Sequence, residues 1–403
     1  MTRTPSAQTP SHPTGGLGPA VVLATGTFAV GTDAFVVTGF LPAMAADLGV
    51  STAAAGQSLT LFAITYAILA PLLTSLTAQL PRRTLLAGAL LLLGLANIGT
   101  ALAPNLGLLL LTRVLAAAGA ALYTPNAGSV AGMLVRPDLR GRAFALVITG
   151  LTVATAIGVP LGLLASQWLG WRSAISLVAL LALAASLGVR LSLPAVPGAS
   201  SSAPLRHRLS VLRLPSVRAI LPLTWLGMAA SYVPYVYSVG ILGELQVPPA
   251  GLAFMLFLYG AGAVIGVSLS GWATDRSTPA RVLAVTYIVM ALSLAGLAWM
   301  AVAGRPMPWL IGLCMLAWGG SSWSQTPPQQ HRLFEASHEH AMLLVALNAS
   351  GIYVGIGLGT LIGGLTIAFG GQAPLIVGTV IALGALVFLR TTRRAFGPAA
   401  ATS

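Results

Sequence analysis

Charge is what this chain has least of. Aspartate, glutamate, lysine and arginine together make 7% of its 403 residues, against about one quarter in a typical soluble domain. That scarcity excludes a soluble domain of useful size. There is one cysteine, Cys314, within an apolar segment, which excludes an intramolecular disulfide framework. Lysine is missing altogether and the twenty basic residues are all arginine, a compositional bias with no mechanistic content. The formal charge of +13 suggests a nucleic-acid partner, but the arginines sit at segment ends and form no continuous basic face, so none is expected.

What is there instead is hydrocarbon: 56% hydrophobic residues and a mean hydropathy of +0.90. Apolar runs of about 17 to 25 residues recur between short polar turns, the pattern of spanning helices and not of a barrel. About twelve spans are expected, near 20–41, 54–77, 84–103, 106–134, 143–165, 172–193, 217–241, 250–272, 281–303, 308–329, 341–368 and 374–391. Residues 1–18 are rich in Pro, Thr and Ser and lack a basic run leading into a short apolar core, so they read as a disordered cytoplasmic tail before an uncleaved first span.

Arginines mark one side of this topology. Arg82, Arg83, Arg136, Arg140, Arg142, Arg206, Arg208, Arg213, Arg218, Arg276, Arg281, Arg332, Arg390, Arg393 and Arg394 all fall in segments on the side of the N-terminus, and only Arg172 and Arg305 in the opposite loops. The positive-inside rule then places both termini in the cytoplasm and requires an even number of spans. The longest interior polar stretch, 194–216, separates six spans from six. The expected organisation is a tail (1–18), an N-terminal six-helix bundle (19–193), a cytoplasmic linker (194–216), a C-terminal six-helix bundle (217–394) and a tail (395–403). The bundles share punctuation: a short basic loop after the second span of each, and a glycine-rich fifth span. Such weak repetition marks secondary transporters, whose substrate sites lie between the repeats.

Several stretches then resemble one family. "GTDAFVVTGFLPAMAADLGVS" (31–51), "LTRVLAAAGAALYTPN" (111–126) with Arg113, "GLTVATAIGVPLG" (150–162) and "LGWR" (169–172) resemble the signatures of the first, fourth and fifth helices, and the turn after the fifth, in the major facilitator superfamily. Within it they are similar to the bacterial drug:proton antiporters, a group that includes arabinose-type and nucleoside efflux permeases. The resemblance covers nearly the whole chain and implies an all-α membrane protein of two pseudo-symmetric six-helix bundles. The family's Gly-x-x-x-Asp-Arg loop, thought to latch the cytoplasmic side, is eroded after the second span, where Ser75 and Gln79 replace glycine and aspartate. After the eighth span it is intact as Gly271, Asp275, Arg276 and Arg281.

Of the seven acids (Asp33, Asp47, Asp138, Glu244, Asp275, Glu335 and Glu339), Asp33 alone sits deep in a span. A charge there costs at least about 2.5 to 3.5 kcal/mol on insertion scales, so an intramembrane acid is a functional-site hypothesis by default. Asp33 lies nine residues before Pro42, and Arg113, the only arginine well inside a span, nine after Pro104. At 1.5 Å per residue both are about 13 Å deep. Ala116, Ala117 and Ala120 follow Arg113 at helical spacing and leave room beside the guanidinium. If the first and fourth helices line the cavity, as the resemblance implies, the two form a proton-coupling pair. The competing reading is a static ion pair that holds two helices together, since a buried pair is weak evidence for stability on its own.

Pro160, between Gly158 and Gly162, is expected to bend the fifth helix and let small residues pack against its neighbour in the other bundle. Tyr123, Asn126, Tyr232, Tyr235, Trp318, Gln325, Asn348 and Tyr353 are candidate substrate contacts, most on helices that line the cavity in the resembled fold, with packing or an interfacial role the alternative for each. "YGAGAVIG" (259–266) and "VGIGLGTLIGG" (354–364) superficially resemble nucleotide-binding loops but lack the strand and helix such loops join, so they read as packing. "HRLFEASHEH" (331–340) has no metal-ligand spacing and reads as a solvated loop.

The resulting expectation is a non-enzymatic, monomeric exporter in the bacterial inner membrane. It would work by alternating access, with protons as coupling ion, no other cofactor and no metal. The expected partners are the bilayer and a small organic substrate, drug-like and amphiphilic in the first reading, a sugar or nucleoside in the alternative. A non-transporting receptor or scaffold is the reading from another class.

Overall fold

The computed structural model describes residues 16–198, 215–336 and 341–392. Most of the expected N-terminal tail, linker residues 199–214 with Arg206, Arg208 and Arg213, residues 337–340 with Glu339, and everything from Arg393 through the tail 395–403 lie outside the described residues.

All regular structure among the described residues is helical. The first group comprises α1 (Gly18–Asp47), α2 (Thr52–Leu76), α3 (Arg82–Ala101), α4 (Leu106–Leu134), α5 (Arg140–Val153), α6 (Val159–Leu169) and α7 (Trp171–Ser192). The second comprises α8 (Pro215–Tyr235), α9 (Ser238–Glu244), α10 (Pro249–Arg276), α11 (Pro279–Ala303), α12 (Pro308–Ser324), α13 (Thr326–Ala336), α14 (Ala341–Thr366) and α15 (Gln372–Thr392). Among the described residues ten helical stretches, α5 and α6 counted as one, are long and apolar enough to cross a membrane, and the α8–α9 pair, bent by 53°, makes an eleventh if taken as one span. The run expected at 308–329 is made by α12, 17 residues long, continued by α13. By the alternation of the helices, Arg82, Arg83, Arg136, Arg140, Arg142, Arg276 and Arg281 fall at one end of the bundle, the arginine-rich end, and Arg172 and Arg305 at the other.

Proline explains the breaks. Its ring cannot donate a hydrogen bond and crowds the preceding turn. The first span does not stop at Pro42 as the sequence suggested; α1 continues to Asp47 and takes up the strain at Phe40, whose φ of −125° and ψ of 15° are non-helical. Before Pro160 the fifth span widens into a π turn, Ala154–Gly158, between α5 and α6. Such turns open the backbone ladder, often at functional sites.

Small residues set how closely the helices approach. Gly158 faces Thr32 and Gly162 faces Val36, both on α1, with no room for a Cβ. The expected contact of these glycines with the other bundle is therefore corrected: they seat α1 within their own group. The opposite group is met by the π turn, where Gly260 of α10 lies against Thr155 and Ala156. The two glycine-rich stretches do pack: Gly262 and Gly266 abut the Leu316 and Gly320 carbonyls, and Gly355, Gly359 and Gly363 abut α8.

The groups also meet along α2 and α14. Thr60 and Thr360 share a 2.7 Å hydrogen bond and Tyr66 stacks on Tyr353 with centroids 3.7 Å apart. Towards the arginine-rich end α5 and α10 part around a groove of about 350 Å³ lined by Phe144, Ile148, Thr152, Val264 and Ser268. At the opposite end, Asp47 pairs with Arg172 and accepts from the Trp171 indole at 3.1 Å, while Arg172 donates to the Ala103 carbonyl at 2.9 Å. The LGWR turn thus staples the ends of α1 and α3 to the start of α7.

Candidate proton-coupling site

Asp33 and Arg113 meet, and both side chains are fully buried. α1 delivers the carboxylate because Gly31, two residues earlier, packs directly on Leu151 and Ala154. α4 delivers the guanidinium through a face reduced to Ala116, Ala117 and Ala120, all fully buried. Arg113 Nη1 donates to Asp33 Oδ1 at 2.7 Å, and Nη2 donates to the Asp33 backbone carbonyl at 3.2 Å. Nη1 also reaches Asn97 Oδ1 at 3.4 Å. The Phe62 ring lies under the guanidinium, 4.7 Å from its centroid. A desolvated cation–π contact of this kind contributes about 2 kcal/mol.

This pair is half satisfied. Asp33 Oδ2 and Arg113 Nε are buried and have no hydrogen-bond partner, where native buried polar atoms are nearly always paired. The carboxylate is thus held by one oxygen and not gripped by a two-bond fork. Its other oxygen is available to a proton without displacing an existing bond. Besides the carboxylate, the guanidinium has Asn97, the Asp33 carbonyl and the Phe62 face as partners.

From Phe62 under the guanidinium, and from Phe35 two residues beyond Asp33, ring contacts lead across to the second group. Phe35 is 5.8 Å from Tyr232 and 6.2 Å from Trp323; Phe62 is 6.4 Å from Tyr353, which stacks on Tyr66. From Tyr232 the rings continue through Tyr235 and Tyr259 to Trp318. Of the expected substrate contacts, Tyr232, Tyr235, Trp318 and Tyr353 belong to this aromatic wall. The others are engaged elsewhere: the Tyr123 hydroxyl donates to the Leu23 carbonyl, Asn126 bonds Arg82 and the Leu122 carbonyl, Gln325 accepts from Tyr287, and Asn348 accepts from Thr224.

Sequence reasoning missed Phe62, Tyr66, Phe35, Trp323 and Asn97. The same depth count that paired Asp33 with Arg113 finds Phe62: it lies ten residues into α2, about 15 Å. Ring contacts across the groups leave no such trace.

The two loop motifs also differ. In the eroded one, the Arg82 N–H donates to the Val196 carbonyl at 2.8 Å and the Arg83 guanidinium donates to the Leu193 carbonyl at 3.3 Å. That loop is tied to the exit of α7. In the intact one, Arg276 lies over Trp272 at 4.4 Å, and Asp275 makes no ion pair among the described residues.

Paired groups of membrane-spanning helices with a buried ion pair between the first and fourth spans are the arrangement of a membrane transporter. The sequence profile of the Major Facilitator Superfamily matches residues 23–342, and the chain belongs to that superfamily. It is 31% identical to the MFS-type transporter YbcL of Bacillus subtilis, over 85% of this chain and 87% of that one. It is 35% identical to a chloramphenicol resistance protein of Streptomyces lividans, over 70% and 73%, and 29% identical to a chloramphenicol efflux pump of Mycobacterium tuberculosis, over 85% and 84%. In fold it is similar to a bacterial homologue of the human lysosomal transporter Spinster, solved in an inward-facing, unoccupied conformation, with a TM-score of 0.73 and 17% identity over 94% of this chain and 96% of that one.

Proposed function

We propose that this protein exports small, amphiphilic, drug-like organic molecules in exchange for protons, by alternating access in a bacterial cytoplasmic membrane, with both termini and the arginine-rich end on the cytoplasmic side. The observation that carries the proposal is the buried Asp33–Arg113 pair with its unpartnered carboxylate oxygen. Asp33 is the only acid buried in a span among the described residues. In one state Asp33 is ionised and holds Arg113; in the other it is protonated and the two helices are uncoupled. One deep acid sets a minimum of one proton per cycle. Substrate binds against Tyr232, Tyr235, Trp318 and Tyr353, rings that offer broad apolar area and few hydrogen bonds. Such a wall suits lipophilic compounds better than sugars or nucleosides, in line with the chloramphenicol named for two of the relatives.

The proposal is tested by reconstituting the protein in liposomes with an internal pH dye and adding a panel of amphiphiles, chloramphenicol among them, beside sugars and nucleosides. Proton movement is expected on addition of amphiphiles. Movement with sugars or nucleosides alone transfers the reading to that alternative, and none across the panel removes proton coupling.

A further inference from the structure

A cavity of about 410 Å³ opens on the outer face of the second helix group, between α10, α11 and α12. Its floor is the line where α10 and α12 touch backbone to backbone, at Gly262, Gly266 and Gly320. Its walls include Ile265, Leu269 and Val285, which are 51%, 61% and 61% exposed, so the cavity faces the lipid and not the interior between the groups. Along α10 it runs from Gly262 to Ala273, eleven residues or about 16 Å, and on to Ser277 just past the helix end. One leaflet contributes about 15 Å of hydrocarbon. The groove is therefore about as long as one leaflet's hydrocarbon.

Its polar groups are few and placed in order. Arg281, exposed and without an ion pair among the described residues, stands at the arginine-rich mouth. Ser270, Ser321 and Ser324 spend their hydroxyls on the carbonyls of Ser324, Trp318 and Gly320. Thr286 does not: it lines the groove, is 5% exposed, and its hydroxyl has no partner among the described residues. Thr286 lies five residues beyond Arg281 on α11, about 8 Å deeper. That is the order of groups in a phospholipid, an anionic phosphate, then ester oxygens, then an acyl chain.

We propose that this groove holds one anionic phospholipid of the leaflet at the arginine-rich end. Its phosphate meets Arg281, an ester oxygen accepts from Thr286, and one chain lies along the Gly262–Gly266 floor. Basic pockets between spanning helices bind lipid headgroups on this physical basis. The groove has no acidic lining residue, which favours an anionic occupant.

Native mass spectrometry of the full chain, loaded with phosphatidylglycerol or phosphatidylcholine of the same chain length, tests this. Retention of one phosphatidylglycerol in preference to phosphatidylcholine is expected. Arg281→Gln should weaken it about fivefold, the contribution of one arginine near a membrane surface. Thr286→Val should weaken it less, and Ala317→Phe, which fills the groove, should abolish it. Arg276→Gln, with its side chain on Trp272, should leave it unchanged. Melting temperatures measured without lipid identify any variant that has merely misfolded, and Thr286→Val, which conserves shape, keeps the test alive if another fails. Equal retention of both lipids, equal loss in the Arg281 and Arg276 variants, or displacement of the retained phosphatidylglycerol by inorganic phosphate would each overturn the proposal.

Discussion

The first helix group holds a charged pair at membrane depth, beside neutral groups such as Asn97 and Thr112, whereas the polar cluster around Trp318 in the second is wholly neutral. Asp33 and Arg113 leave an oxygen and a nitrogen unpaired. Ser231, Ser322, Tyr259 and Trp318 instead close on one another: Ser231 to Ser322 at 2.7 Å, the Tyr259 hydroxyl to Ser322 at 3.0 Å, and the Trp318 indole to Ser231 at 3.0 Å. A neutral network with its bonds made has one favoured arrangement and acts as a stiff wall. A half-satisfied ion pair is not locked in this way. On the proposed mechanism, the switching element belongs to the first group and the fixed aromatic surface to the second.

The sharpest way to break this contrast is to remove one charge from the pair. Arg113→Met leaves the Asp33 carboxylate buried and alone, and should destabilise the protein by about 3 to 5 kcal/mol. Adding Asp33→Asn should restore much of that loss. Thermal unfolding in detergent checks both, and full additivity of the two changes would mean the residues are not coupled. In the neutral network, Ser231→Ala strands the Trp318 indole N–H and should cost about 1 to 3 kcal/mol. The pH profile of transport should keep its shape, since no titrating group is touched; a moved profile would place part of the switch in the second group. The smallest effect belongs to a pair in water. Arg136 and Asp138 are 2.8 Å apart but 56% and 61% exposed, and such pairs are screened. Asp138→Asn should shift neither melting temperature nor pH profile measurably.

The sequence carried much of this. Span count, the asymmetry of arginines and the Asp33–Arg113 pairing follow from hydrophobic length and a 1.5 Å rise, quantities local to each helix. What it could not carry was direction around a helix. Gly158 and Gly162 were legible as close-packing residues, but not which neighbour they face, because the π turn that ends at Gly158 departs from the regular helical register. Tyr123 and Asn126 sit on the right helix, yet each is spent on a bond within its own group. Tyr66 against Tyr353, 287 positions apart in the chain, is a contact that no periodicity announces.

The central claim is that a proton on Asp33 is coupled to substrate movement. Its most direct measurement compares wild type and Asp33→Asn in liposomes, with a labelled substrate identified by the panel above, under an imposed pH gradient and then with no gradient. Substrate exchange without a gradient should survive in the variant, because the aromatic wall is intact, while accumulation driven by the gradient should be lost. Full gradient-driven accumulation by Asp33→Asn would contradict the account.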